Sequence, residues 1–277
     1  MVAERTDQQV CIVTGAARGL GKSIAEAYAT RGAAVALVDV LDDLAAEAAG
    51  EIEATGARAF PVAADITDRD QVDAMVETVT RELGPPDVLV NNAATFSVIA
   101  PVWEADPDRW VQDIRVNLCG TFLVCRAVVK GMVARRSGTV VNVVSSGGVS
   151  DPHAYSTSYA ASKTAVMRLT EGLAKGAAEH NVKVFAVGPP AIWTEMTRFI
   201  ATDPGGRKWR PGFDRIFEEG RDTPAESVAT FIAEMTSGVV DELSGRYFEA
   251  RWDLEEMAGR QDEILEKDLY TLRIRGK

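Results

Sequence analysis

Val10-Cys11-Ile12-Val13-Thr14-Gly15-Ala16-Ala17-Arg18-Gly19-Leu20-Gly21 is the stretch whose reading decides the fold. A short apolar run ends in a glycine-rich turn. A helical pattern follows, with Leu20, Ile24 and Ala27 on one side, and stops at Gly32. Strand, glycine turn and helix in that order make a site for phosphate. Glycines let the backbone approach a pyrophosphate closely, and the free N–H groups at a helix start attract it. The spacing is Gly15-x-x-x-Gly19-x-Gly21, not the Gly-x-Gly-x-x-Gly of the two-half dinucleotide folds. A tight strand-to-helix turn that holds no ligand is the plainer reading of the same residues.

The alternation continues along the chain. Apolar runs at 34–38, 59–64, 87–90, 139–144 and 182–187 read as strands, and a last strand lies near 245–248. Between them fall helical stripes such as Leu44, Ala48 and Ile52, or Val72, Met75, Val76, Val79 and Leu83. A long helix starts at Asp106-Pro107, cap and N1 residue, and carries Asn117. Strictly alternating strands and helices imply an α/β fold: a single Rossmann-like doubly wound parallel sheet of about seven strands, with helices on both faces. No repeat or linker divides residues 1–277, so one domain is expected. Residues 195–222 form a lid-like insertion rich in Arg and aromatics, equally readable as a solvated surface insertion. Residues 251–277 form a C-terminal extension in which Leu254, Met257, Ile264, Leu265 and Leu269 offer packing contacts.

Composition excludes several classes. The formal charge of −11 leaves no basic footprint for nucleic acid. Three Cys and two His show no metal-ligand spacing, so no metal is expected, and Cys11 and Cys125 read as buried reduced thiols of a cytoplasmic protein. Residues 1–9 are polar and lack the apolar core of a signal peptide. No apolar stretch approaches the ~20 residues of a bilayer crossing, so no membrane is expected.

The chemistry concentrates after the fifth strand. Tyr159 and Lys163 stand four apart, hence on one helical face. Free Tyr titrates near ~10, too high for a base at neutral pH, and a nearby cation lowers that value. Ser146 stands thirteen residues before Tyr159, at a strand's carboxyl end, where open parallel sheets bind ligands. A bare Tyr-x-x-x-Lys more often marks a solvated helix face. Asp39 follows the second strand, eighteen residues past Gly21. Its carboxylate suits the adenosine ribose of NAD and repels the 2′-phosphate of NADP, while Arg18 pulls weakly the other way. A helix N-terminal carboxylate is the plainer role for Asp39.

Taken together, Thr14-Gly15-x-x-x-Gly19-x-Gly21, Asp39, Asp65, Asn91-Asn92-Ala93, Asn117, Ser146, Tyr159-x-x-x-Lys163 and the break from Pro189 to Thr194 resemble the short-chain dehydrogenase/reductase family. The likeness covers roughly residues 8 to 250. It implies that Tyr159 is the general acid/base, that Lys163 holds the nicotinamide ribose and lowers the Tyr159 pKa, and that Ser146 orients the substrate oxygen. Asn117 would anchor a proton-relay water. Gly15, Arg18, Gly19, Leu20, Gly21, Asp39, Asp65, Ile66, Asn91, Ala93, Pro189, Ile192 and Thr194 would join Tyr159 and Lys163 in binding NAD. A homotetramer or homodimer is the family's habit.

The expected activity is an NAD-dependent interconversion of a secondary alcohol (or dihydrodiol) and a ketone, on a small apolar or aromatic substrate met by Ser146, His153, Tyr159 and Trp193. His153 is also readable as a plain surface residue. The lid cations allow a carboxylate. A 3-oxoacyl reductase using NADPH is the alternative enzyme, and a catalytically silent dinucleotide-binding regulator or scaffold is the alternative of another class. Pro190 stands where the family usually has Gly, and the chain runs on past the last strand by some 25 residues. Both departures bear on the nicotinamide side and on assembly.

Overall fold

The computed structural model describes residues 8–146 and 154–274. Seven parallel strands form one sheet in the order β3-β2-β1-β4-β5-β6-β7: β1 (Val10–Thr14), β2 (Ala34–Asp39), β3 (Ala59–Ala63), β4 (Val88–Asn91), β5 (Gly138–Val143), β6 (Val182–Gly188) and β7 (Tyr247–Glu249). The central strands are mostly apolar because both faces are covered, with Asn91 and Asn142 as buried polar exceptions. Successive residues serve opposite faces. Cys11 and Val13 point to a core built with α1 (Gly19–Thr30), α2 (Asp42–Glu53) and α10 (Ala225–Glu234). Val10 and Ile12 point to the other, built with α3 (Arg69–Glu82), α5 (Thr121–Arg135) and α6 (Thr157–Ala177). The strand order reverses between β1 and β4, and the crevice at their carboxyl ends is the ligand position of such sheets.

Side-chain caps start several helices where expected. Asp68 accepts from the N–H groups of Asp70 and Gln71, and Asp106 from those of Asp108 and Arg109. The long helix is not uniform. After α4 (Pro107–Ile114) it opens into one wide π turn over Arg115–Gly120 before continuing as α5. Such a turn inserts a residue and marks functional sites.

This run requires a correction. Pro107–Arg135 makes 29 consecutive helical residues that, by length and composition, suffice to cross a bilayer. Charged residues hide it from a count of uninterrupted apolar positions. Its placement is that of a core helix: Val124, Cys125, Val128 and Met132 pack against the sheet. Less than half of its most apolar window is buried, and Val111 and Phe122 remain about half exposed.

The described residues of the extension, 251–274, pack against the fold rather than over the crevice. Leu254, Met257 and Ile264 are buried and Leu269 partly so, but Leu265 faces solvent. α11 (Leu254–Gly259) and α12 (Gln261–Glu266) lead the chain back along the β7 edge. There the Tyr247 N–H donates to the Tyr270 carbonyl at 2.9 Å, and the Leu272 N–H to Glu171 on α6 at 2.6 Å. An exposed edge strand is a template for unwanted pairing, and this return covers it.

Glycine is required at the first turn. A Cβ on Gly21 would lie 2.0 Å from the Gly15 carbonyl oxygen, and Gly15 itself sits at φ +66° against Ala93. Gly21→Ala is therefore expected to lower stability by ~1–3 kcal/mol, the usual cost of overpacking, in denaturant unfolding. An unchanged midpoint would show that the turn relaxes freely.

Candidate active site

The crevice is a cavity of about 940 Å³ that runs along the carboxyl edge of the sheet. Gly15, Arg18, Gly19, Leu20, Gly21, Asp39, Asp65, Ile66, Ala93, Ser146, Tyr159, Lys163, Pro189, Ile192, Trp193 and Thr194 all line it. Asn91 and Asn117 are buried behind it, and His153 lies outside the described residues.

The β1–α1 end is shaped as a cradle. No side chain caps the start of α1, so its first N–H groups are open to an anion. Asn92 holds the turn from below: its Nδ2 donates to the carbonyls of Thr14 and Gly15, both at 3.0 Å. Asp39 at the end of β2 accepts from the N–H groups of Ala17 (3.0 Å) and Leu41 (3.1 Å). Those bonds fix a carboxylate in the cavity wall. Asp65 is pinned similarly, accepting from the Thr67 N–H and hydroxyl at 2.8 Å each. Crowded glycines, an uncapped helix start and a fixed carboxylate beyond it fit a dinucleotide in this cavity.

The Asn pair resolves differently from expectation. Asn91, the last residue of β4, turns inward and donates to Asn142 (2.9 Å) and the Cys125 sulfur (3.2 Å). Asn142 passes the chain on to Thr170 at 2.9 Å. Adjacent strand residues face opposite ways, so it is Asn92 that meets the cavity.

Tyr159 and Lys163 come from the first turns of α6. Lys163 Nζ donates to the carbonyl of Val143, the last residue of β5, at 2.7 Å, and lies 5.7 Å from the centre of the Tyr159 ring. Burial pulls the Lys163 pKa down to about 8. Burial pushes Tyr159 up to about 12; the Ser145 hydroxyl, hydrogen-bonded to it, and the Arg210 charge pull it down, and Asp113 pushes it up. Ser145 and Ser146 both line the cavity, and a side-chain hydrogen bond links Ser145 to Tyr159. Phe96 packs on the Tyr159 ring at 4.8 Å.

The π turn explains Asn117. Its amide donates to the Thr95 carbonyl (2.9 Å) and to Ser162 (3.0 Å), and its Oδ1 accepts from the Thr95 N–H at 2.7 Å. Ser162 in turn donates to the Tyr159 carbonyl at 2.8 Å. One turn earlier, the buried Asp113 carboxylate accepts from Thr95, Ser97 and Ser158, the last at 2.6 Å. Asn117 and Asp113 thus clamp the start of α6 to α4 and position Tyr159 from behind. Asp113 went unnoticed in the sequence because an Asp in a helical segment reads as surface.

Residues 195–222 hold α7 (Glu195–Thr202), α8 (Pro204–Trp209) and α9 (Arg215–Glu218). Thr194 and Thr197 cap α7 reciprocally, and Thr197 Oγ1 also donates to the Ile192 carbonyl at 2.7 Å. That bond gives the loop after Pro190 a fixed path. Ile200 and Phe213 from this segment line the cavity, as does Arg210, whose guanidinium lies 4.6 Å over the Phe213 ring.

Residues 9–205 match the family model described as short chain dehydrogenase. The 3-oxoacyl-[acyl-carrier-protein] reductase of Thermotoga maritima is 39% identical over 194 residues, covering 70% of this chain and 78% of that one. Among solved structures, the L-sorbose reductase of Gluconobacter frateurii, complexed with NADPH and L-sorbose, superimposes with a TM-score of 0.77 at 29% identity. It covers 88% of this chain and 95% of that one. NAD⁺-bound xylitol dehydrogenase gives 0.80 at 25% identity, over 89% and 98%.

The low Lys163 pKa carries a stability consequence. An unfolded Lys titrates near ~10.4, so between about 8 and that value the unfolded chain binds the extra proton, and stability rises with pH. Below about 8 the cost of burying the ammonium is fully present. Lys163→Met is expected to melt higher than the parent at pH 7, by ~1–3 kcal/mol, with the gap closing as pH rises toward ~10. A gap independent of pH would contradict a charged, desolvated Lys163.

Proposed function

Since the chain belongs to the short-chain dehydrogenases, we propose that it is an NAD-dependent oxidoreductase that interconverts a secondary alcohol and a ketone, with Tyr159 as the general acid/base. One observation carries the reading: Tyr159 and Lys163 stand together on the wall of a cavity whose far end is a glycine cradle closed by Asp39. The nicotinamide supplies the hydride acceptor or donor when bound. Tyr159 takes the hydroxyl proton in oxidation and returns it in reduction. Lys163 favours the phenolate by its charge, and Ser145 with Ser146 offers hydroxyls to the substrate oxygen. Phe96, Ile200 and Phe213 give the substrate end an apolar, partly aromatic wall.

NAD is preferred over NADP on electrostatic grounds. Asp39 is held in place by two backbone N–H groups, and a 2′-phosphate beside it would meet a fixed negative charge. Arg18, on the same wall, and the 39% identity to a 3-oxoacyl reductase favour a second reading, a 3-oxoacyl reductase using NADPH. Residues 195–222 act as a lid, since seven of them, Ile200, Arg210 and Phe213 included, line the cavity. The half-exposed Val111 and Phe122 on the long apolar helix suit pairing with a second copy, as homodimer or homotetramer. Buried free Cys11 and Cys125 suit the reducing cytoplasm.

The test is the reduced-nicotinamide absorbance with NAD⁺ and then NADP⁺, over aliphatic, aromatic and hydroxy-acid alcohols. Turnover with NAD⁺ at least ~10-fold above NADP⁺ is expected, and the reverse preference would favour the 3-oxoacyl reading. Tyr159→Phe is expected to lose ~10²–10⁴-fold in kcat, the worth of a positioned acid/base, while NAD⁺ affinity measured by calorimetry stays within about threefold. Retained turnover would refute Tyr159's role.

A further inference from the structure

We propose that Thr95, its hydroxyl oriented by Asp113, reads a second hydroxyl on the substrate, so that the preferred substrates are vicinal diols carried on an apolar ring or chain. This rests on the alcohol–ketone reading of the same cavity and names its substrate class.

Thr95 lines the cavity and precedes Phe96, whose ring packs on that of Tyr159 at 4.8 Å. Asn117 takes both backbone groups of Thr95, the N–H at 2.7 Å and the carbonyl at 2.9 Å. What Thr95 offers the cavity is therefore its side chain. Its hydroxyl lies 2.9 Å from Asp113 Oδ1. The same carboxylate meets the Ser97 N–H (3.2 Å), the Ser97 hydroxyl (2.8 Å) and the Ser158 hydroxyl (2.6 Å). An ionised carboxylate only accepts, and a hydroxyl carries one proton and two lone pairs. The Thr95 proton is thus spent on Asp113, and toward a ligand Thr95 is an acceptor alone.

A carboxylate is more than the clamp on α6 needs. Asn117 already ties that helix through Ser162, and Trp110 Nε1 on α4 donates to the Thr157 hydroxyl at 3.1 Å. Asp113 is wholly buried, and its bonding partners among the described residues are hydroxyls and one N–H rather than a cation. A charge buried on such terms is costly. It fixes which way the Thr95 hydroxyl points, which a neutral apolar residue would not do. The position suits the carbon beside the reacting one, since Ser158, which shares Asp113 with Thr95, immediately precedes Tyr159. A substrate with its carbinol on Tyr159 brings the neighbouring hydroxyl to Thr95, and Phe96, Ile200 and Phe213 take its apolar body. The nicotinamide ribose also carries hydroxyls. Lys163 is the group that serves those, since Val143 takes one of its three N–H donors.

The experiment measures kcat/KM on the full chain, with whichever nucleotide the alcohol panel selects, for vicinal cyclohexanediol, its monomethyl ether and cyclohexanol. The ether keeps the second oxygen but has no proton to give from it, and cyclohexanol lacks the oxygen. The diol is expected to exceed both by ~3- to 10-fold, the worth of one hydrogen bond. Thr95→Val should bring that ratio to near one, and Thr95→Ser should keep it. Ser158→Ala, which takes another donor from Asp113, should also keep it. No preference for the diol in the parent, or an equal preference in Thr95→Val, overturns the assignment. An unchanged ratio in Thr95→Val with nucleotide affinity weakened more than about threefold in calorimetry would hand the hydroxyl to the ribose and overturn it as well. Silence on these three compounds while other alcohols turn over overturns the substrate class, and silence on every alcohol overturns the reaction beneath it.

Discussion

The bond from Lys163 Nζ to the Val143 carbonyl, 2.7 Å long and fully buried, is the constraint on which the site depends. It ties the first turns of α6 to the last residue of β5 and so fixes where Tyr159 stands over the sheet edge. It also holds an ammonium in a place that strips it of water. The clamp behind α6, made by Asn117, Ser162, Asp113 and Ser158, allows little slack in the same helix. Tyr159 is therefore set by three attachments, and none of them uses its own hydroxyl.

Most of the architecture was legible in the sequence. Apolar runs bounded by glycine and aspartate read as buried parallel strands, and capped amphipathic stripes as the helices between them. The glycine turn, Asp39 and Tyr159-x-x-x-Lys163 fell on the elements their spacing implied. What could not be read depended on tertiary pull. A π turn at Arg115–Gly120 has no local signature; it exists because Thr95 and Ser162 draw Asn117 inward. Asn91 and Asn92 are the same residue type, and only the direction in which β4 ends sends one to the core and the other to the cavity. Ser145 and Ser146 pose the same difficulty, one residue apart at the end of β5.

Residues 195–222 and the extension show the limits of composition. Arg-rich, aromatic segments read equally as surface or as wall, and only the fold of α7 to α9 brings Ile200, Arg210 and Phe213 to one cavity. The extension's apolar residues announced packing but not the partner. They cover the β7 edge, the chain reaches α6 through Leu272 and Glu171, and none of the extension's described residues lines the cavity.

The central claim is that the protein buries Tyr159 as a phenol and relies on positive charge to ionise it at work. The most direct test is tyrosinate difference absorbance, parent minus Tyr159→Phe, recorded at pH values up to ~10, the ordinary tyrosine midpoint. Without nucleotide the account predicts no ionisation of Tyr159 over that range, since its pKa lies at about 12. With NAD⁺ bound it predicts that Tyr159 ionises below ~10. Ionisation at an ordinary pH in the free protein, or a titration that NAD⁺ leaves unchanged, would contradict it.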